Sequence, residues 1–264
     1  EKIQKNTSTM IPDQQFLSQE QVATTVLTLA DDAQAKILNG KVIPGDRVFY
    51  PVKSHIRASV PKAEKNNLDG KRVSVSGFHD SERISNIVGM LKEKGGQIID
   101  SKSGESTDLS IYVTGNFPNF SNLTELSRDE WDKLVDKFIN NPAVMTQRKI
   151  DSFVPGGSDD PRKFKDAKGR IIIIGPDLPA GKKISGHERA KVEVFRGALR
   201  PFATTVNQEL SDVLKSNVRV FLILPGTVDG KEPNDENIVN TINYLMSDEA
   251  ASSSEVIFCP DETR

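Results

Sequence analysis

The sequence predicts a doubly wound α/β fold, in which a mostly parallel sheet carries helices on both faces. Two observations predict it. From residue 71 onward, short apolar runs alternate with segments whose apolar residues recur at helical spacing. One run, Ile171-Ile172-Ile173-Ile174, has no polar position at all, as a buried strand of a parallel sheet requires. Strands separated by helices need crossover connections, which are right-handed in nearly all proteins.

Taken in order, the first element is a helix over 18–32. Val22, Val26, Leu29 and Ala30 stand at helical spacing, and Ser18 with Gln21 three residues later makes a capping box. A short strand is expected over 41–44 after Asn39-Gly40, and the basic, proline-punctuated stretch up to Gly70 reads as a connector with a domain boundary in it. Strands follow over 72–77, 97–100, 109–113, 170–174, 218–224 and 255–259. Helices are expected over 81–94, 127–147, 187–214 and 235–246. Pro155-Gly156-Gly157 and the charged residues up to Lys168 read as a flexible surface excursion.

Composition bounds the function only loosely. The 264 residues suffice for a self-supporting core, and 36% hydrophobic with 27% charged residues is the balance of a globular protein. The mean hydropathy is −0.43, and no apolar run approaches a membrane span. Lys and Arg (35) nearly offset Asp and Glu (37), so no whole-chain field draws in nucleic acid or an acidic membrane. The single Cys259 excludes an internal disulfide and a cysteine-based zinc site, and suits the cytoplasm. The polar start at Glu1, without Met or a signal segment, reads as a fragment's beginning.

A repeat joins the two ends. Glu20, Thr25, Leu29 and Asp32 match Glu236, Thr241, Leu245 and Asp248; Val22 and Val26 match Ile238 and Ile242; and Val42-Ile43 match Val256-Ile257. The same helix-strand unit is thus expected twice.

Arg196-Gly197-Ala198-Leu199-Arg200-Pro201-Phe202, then Asn217-Val218-Arg219-Val220 and Pro225-Gly226-Thr227, resemble the later part of the short-chain dehydrogenases/reductases. The resemblance covers about residues 70–262 and implies a Rossmann-like sheet. With the repeat and the linker, the chain resembles one half of the bacterial bifunctional malonyl-CoA reductases, where a working reductase unit precedes a degenerate one. On this reading 1–50 is the terminal helix and strand of a preceding unit, 51–70 a linker and 71–264 the degenerate unit. The parent would use NADPH to take malonyl-CoA to malonate semialdehyde, or the semialdehyde to 3-hydroxypropionate. The implied partners are the preceding catalytic unit and further copies of the chain, with no nucleic acid and no membrane.

Set against that family, the chain lacks the chemistry. In Gly77-Phe78-His79-Asp80-Ser81-Glu82-Arg83 only the first glycine of the phosphate-binding set remains, and Asp80 and Glu82 would repel phosphate. The proton-donating Tyr and its Lys fall at Val192 and Arg196, the Ser at Pro176 and the Asn at Phe138. Of the family's Asn-Asn-Ala-Gly floor, Tyr112-Val113-Thr114-Gly115 keeps the glycine. Almost no chain lies between Asp100 and Leu109, so part of the usual second-to-fourth strand region is missing. No catalytic, cofactor-binding or metal-binding residue is therefore expected, and no cofactor in this chain.

Single residues have plainer readings. Arg196 is expected to be solvated or salt-bridged on an exposed helix face, Lys182-Lys183 to be a surface loop, and Trp131 a packing anchor. His79 and His187 lack companions at metal-ligand spacing. An unconventional acid, Tyr112 or His187, has nothing in its spacing to recommend it. An alternative reads 68–150 as a BRCT-like interaction module, from Leu68-Asp69-Gly70-Lys71-Arg72, Gly95-Gly96-Gln97 and Thr107-Asp108-Leu109; it requires a separate four-stranded sheet ending before about residue 150.

Overall fold

The computed structural model describes residues 18–20, 23, 26, 65–77, 81–101, 105–117, 125–176, 186–225, 234–247, 250 and 256–259, and for 81, 186–193 and 256–259 the backbone alone. The chain divides into two compact units, Glu1–Ile56 and Arg57–Arg264. In the first, Gln19, Glu20, Ala23 and Val26 are helical, as expected; Gln21 and the 41–44 strand lie outside the described residues.

In the second unit, β1 (Arg72–Gly77), β2 (Gln97–Ile99), β3 (Leu109–Val113), β4 (Lys168–Ile174), β5 (Asn217–Pro225) and β6 (Val256–Cys259) form one sheet. Its order is β2-β1-β3-β4-β5-β6, and every pairing is parallel. Because β3 pairs along its length with β4, the strands before residue 150 do not form a sheet of their own, which overturns the BRCT-like alternative.

The helices are α1 (Ser81–Glu93), α2 (Arg128–Val135), α3 (Asn141–Phe153), α4 (Gly186–Gln208) and α5 (Asp235–Leu245). Strand side chains alternate between faces. Ile172 and Ile174 join Leu109, Ile111, Phe221 and Ile223 in a core under α1 and α5, with Ile87, Leu91, Ile238 and Ile242. Ile171 and Ile173 join Val220 and Leu222 in a second core under α3 and α4, with Phe153, Leu199 and Ala203. That double burial is why the Ile171–Ile174 half of β4 carries no polar residue.

Handedness departs from expectation at one connection. The step from β1 through α1 to β2 and the step from β4 through α4 to β5 run in opposite directions, so right-handed crossovers put α1 and α4 on opposite faces. The step from β5 to β6 runs the same way as the α4 step, yet α5 packs beside α1. This crossover is left-handed. Ile238, Val239, Ile242 and Leu245 reach the α1 core only from that side.

Two further segments differ from the sequence reading. The helical stretch expected over 127–147 runs to Phe153, with a π-helical turn at Asp136–Asn140 between α2 and α3. Ser127 and Glu130 close a capping box at its start. Residues 155–168 are not a loose excursion: Pro161–Asp166 form a 3-10 helix capped by Asp160, and Phe164 and Ala167 are buried in the second core. At β5, the buried Asn207 amide takes up the backbone of Val220, donating to its oxygen at 2.6 Å and accepting from its nitrogen at 2.9 Å. Among the described residues the pairing with β6 begins at Leu222, and this side chain satisfies the backbone two residues before it.

Candidate functional site

Ligands of open parallel sheets bind at the carboxyl ends of the strands. At the end of β1, a Cβ on Gly77 would run into the Val113 carbonyl oxygen and lie 3.0 Å from Val113 Cβ and Ile84 Cδ1. The glycine is therefore required by the close approach of β1 to β3. Phe78, His79 and Asp80 lie outside the described residues, as does the Ser81 side chain. Arg83 is buried: its Nε donates at 2.9 Å to Oδ1 of Asp235 on α5, and Asn86 donates to Oδ2 at 3.2 Å. Glu82 is exposed in the first turn of α1.

At the end of β4, Pro176 is buried, and its carbonyl oxygen accepts a 2.8 Å hydrogen bond from Nη1 of Arg196. The same nitrogen donates at 2.6 Å to the carbonyl oxygen of Pro225, at the end of β5. Arg196 has 0% exposure, so its expected place on a solvated helix face is corrected. Buried backbone carbonyls need donors, and a buried guanidinium supplies one to each. Beside it, Phe195 packs on Phe138 and Trp131 at 5.6 and 5.4 Å between ring centroids, and Phe117 closes on Phe138 at 4.5 Å. Trp131 is thus the packing anchor expected.

Positions 138, 176 and 196 therefore converge at one end of the sheet. Phe138, Pro176 and Arg196 themselves offer no phenol, thiol or imidazole. Val192 falls in α4, but its side chain lies outside the described residues, as do those of His187 and Cys259 and the Lys182-Lys183 pair. Thr114 is buried, its N–H donating to the Ile174 oxygen at 3.0 Å, and Gly115 turns away with φ of +76°, where a side chain would be strained. Among the described residues no group of three or more His, Cys, Asp or Glu is placed to hold a metal ion, and no helix is long and apolar enough to cross a membrane.

A second feature lies off that edge. Residues 100–108 carry the chain from β2 to β3 with no helix among the described residues. On the α3 side the β1–β3 half of the sheet presents Ser74, Ser76, Ser110 and Tyr112 where β4 and β5 present isoleucine, valine and leucine. A cavity of about 550 Å³ opens between Ser76 and Tyr112 on the sheet and Arg148 and Lys149 on α3. Burial pushes the Tyr112 phenol up and the Lys149 ammonium down from their ordinary values. The sequence reading missed this cavity. Its signal was the serines alternating with valines in Val73-Ser74-Val75-Ser76, which a strand apolar on both faces would lack.

No protein-family model matches the chain, and no curated relative matches its sequence. Solved structures do. The C-domain of a bacterial malonyl-CoA reductase with NADP is similar over 97% of this chain and 46% of its own length, with a TM-score of 0.63 and 12% identity. A 3-ketoacyl-(acyl-carrier-protein) reductase from Brucella melitensis complexed with NADH is similar over 72% of this chain and 96% of its own, with a TM-score of 0.52 and 14% identity. A Serratia marcescens short-chain dehydrogenase/reductase is similar over 74% and 97%, with a TM-score of 0.53 and 18% identity. At these identities the likeness shows the fold: a Rossmann-like α/β sheet of the kind found in short-chain dehydrogenases/reductases.

Proposed function

We propose that this chain is a non-catalytic structural unit of a multidomain, NADPH-dependent oxidoreductase of the malonyl-CoA reductase type. It supports an active reductase unit outside residues 71–264. The observation that carries the reading is the buried Arg196 joining the carbonyls of Pro176 and Pro225, with Phe138 and Phe195 packed beside it. A guanidinium committed to two strand ends neither lowers a phenol's pKa nor holds a ribose. A dinucleotide fits poorly as well: Arg83 is committed to Asp235, and Glu82 puts a carboxylate in the helix turn that would face a pyrophosphate. No step is therefore assigned to a cofactor in this chain.

The domain reading rests on the repeat. Residues 1–50 supply the last helix and strand of a preceding unit, 51–70 link, and 71–264 form the degenerate unit. Val26 is 59% exposed, whereas its counterpart Ile242 is fully buried against the sheet, as expected if the first helix belongs on another sheet. The partners are that preceding unit and further copies of the chain, in the cytoplasm. The parent's step is malonyl-CoA to malonate semialdehyde, or the semialdehyde to 3-hydroxypropionate.

Titration of the full chain with NADPH, followed by nucleotide fluorescence, tests the reading. No saturable signal and no oxidation of NADPH in the presence of malonate semialdehyde are expected. Saturable binding in the micromolar range, or turnover, would overturn it.

A further inference from the structure

The cavity beside α3 is not part of the strand-end crevice, and the structural role proposed above makes no use of it. Its wall is one stripe of α3, in which Asn141, Met145, Arg148 and Ser152 recur at intervals of three and four residues, with Val144 and Lys149 beside them. Its floor is Ser76 and Tyr112.

Three observations select its occupant. The floor is hydrophilic by sequence, and its deeper members satisfy one another, Ser74 Oγ lying 3.1 Å from Ser110 Oγ, so an apolar helix laid across it would desolvate hydroxyls for no return. The volume, about 550 Å³, is that of a small-molecule site. Finally, the half-buried Lys149 ammonium and the Tyr112 hydroxyl have no hydrogen-bond partner among the described residues, and Arg148 adds a second cation at the rim. Among the described residues lining the cavity Glu105 is the one carboxylate, and it is exposed with contacts of its own.

We propose that this cavity binds a small organic carboxylate, its anionic head held by Lys149, Arg148 and the Tyr112 hydroxyl and its short apolar chain lying against Val144 and Met145. A carboxylate supplies what the site lacks: an acceptor for both donors, and a charge opposite to the partly desolvated ammonium. The two apolar side chains in the wall favour an acid with a hydrocarbon tail over a bare inorganic anion.

The test is calorimetric titration of the full chain with sodium butyrate at fixed ionic strength, with sodium phosphate as a second arm and sodium chloride as the blank. Butyrate is expected to bind saturably and phosphate more weakly. Lys149→Met keeps the apolar stem and should weaken butyrate by about tenfold or more through loss of the charged donor, while Tyr112→Phe should weaken it by a smaller factor. Absence of saturable butyrate binding would overturn the assignment, as would equal affinity in Lys149→Met or binding of phosphate without butyrate. NADPH titration reads a different edge of the sheet, so the two proposals fail separately.

Discussion

Nε of Arg83 lies 2.9 Å from Oδ1 of Asp235, with 10% and 15% of the two side chains exposed. The pair bolts the first turn of α1 to the first turn of α5, where a phosphate-binding helix would otherwise present its free N–H groups. Removing one partner leaves the other charge nearly buried. Arg83→Ala or Asp235→Ala is expected to cost about 3 kcal/mol, seen as a drop of roughly 6–12 °C in Tm. Arg83→Met with Asp235→Leu should recover most of it. A double variant no more stable than either single one would show that the pair is not what joins the helices.

Arg196 allows a sharper comparison. Arg196→Met preserves much of the volume but leaves the Pro176 and Pro225 carbonyls without their donor, at a cost of about 2–4 kcal/mol. Arg196→Lys, with one compact ammonium in place of the planar fork, should fall between. Urea unfolding followed through Trp131, which packs on the neighbouring Phe195, measures both. A Met variant as stable as the parent would refute the clamp.

How far these features were legible in the sequence depends on how local their causes are. β4 was readable because every position from Ile171 to Ile174 is apolar, and both faces of that strand are covered. The burial of Arg196 was not, because the carbonyls that satisfy it lie 20 and 29 residues away in the chain, and a charged residue on a helix defaults to solvent. The helix over 235–246 was readable but not the face of the sheet it covers, so the left-handed crossover stayed hidden. Phe164 looked like part of a charged loop because the residues around it are Lys and Asp, and only packing against the sheet reveals its role. The cavity beside α3 arises from pairing β1 with β3 and was not legible in either strand alone.

Gly77 gives a test of cause. If the glycine is kept for the approach of β1 to β3, Gly77→Ala should destabilise the fold by roughly 1–3 kcal/mol, the usual cost of forcing extra bulk into a packed position. The collision is with the Val113 backbone oxygen, which cannot swing aside like a side-chain tip. Chemical denaturation measures the loss. An unchanged midpoint would mean that the glycine serves something other than packing.

Lys149 predicts a pH dependence. Its folded pKa lies below the unfolded value because burial disfavours the ammonium. Between those two values the unfolded chain binds more protons, so stability from this residue rises with pH across the window, and the desolvation cost is fully present below the folded pKa. Lys149→Met should therefore raise Tm at pH 7 by about 1–2 °C, the small size reflecting solvent screening of a half-exposed group. The gain should shrink as pH climbs past the folded value. A gain that stays constant into the alkaline range would assign the effect to packing alone.

The wide turn at Asp136–Asn140, where the Asn141 N–H reaches back to the Asp136 oxygen, sets the phase of everything after it. Leu134, Phe138, Pro142 and Thr146 are buried at steps of four, a stripe that would wander by about 40° per step around an uninterrupted α-helix. The slackened turn absorbs part of that drift, letting one rod seat its front half on the aromatic cluster and its rear half on the sheet. Shortening the chain by one residue within 137–140 would rotate all that follows by about 100°, swinging Lys149 off its wall while Trp131 kept its place. In this rod the count of residues, more than any single side chain, keeps two surfaces in register.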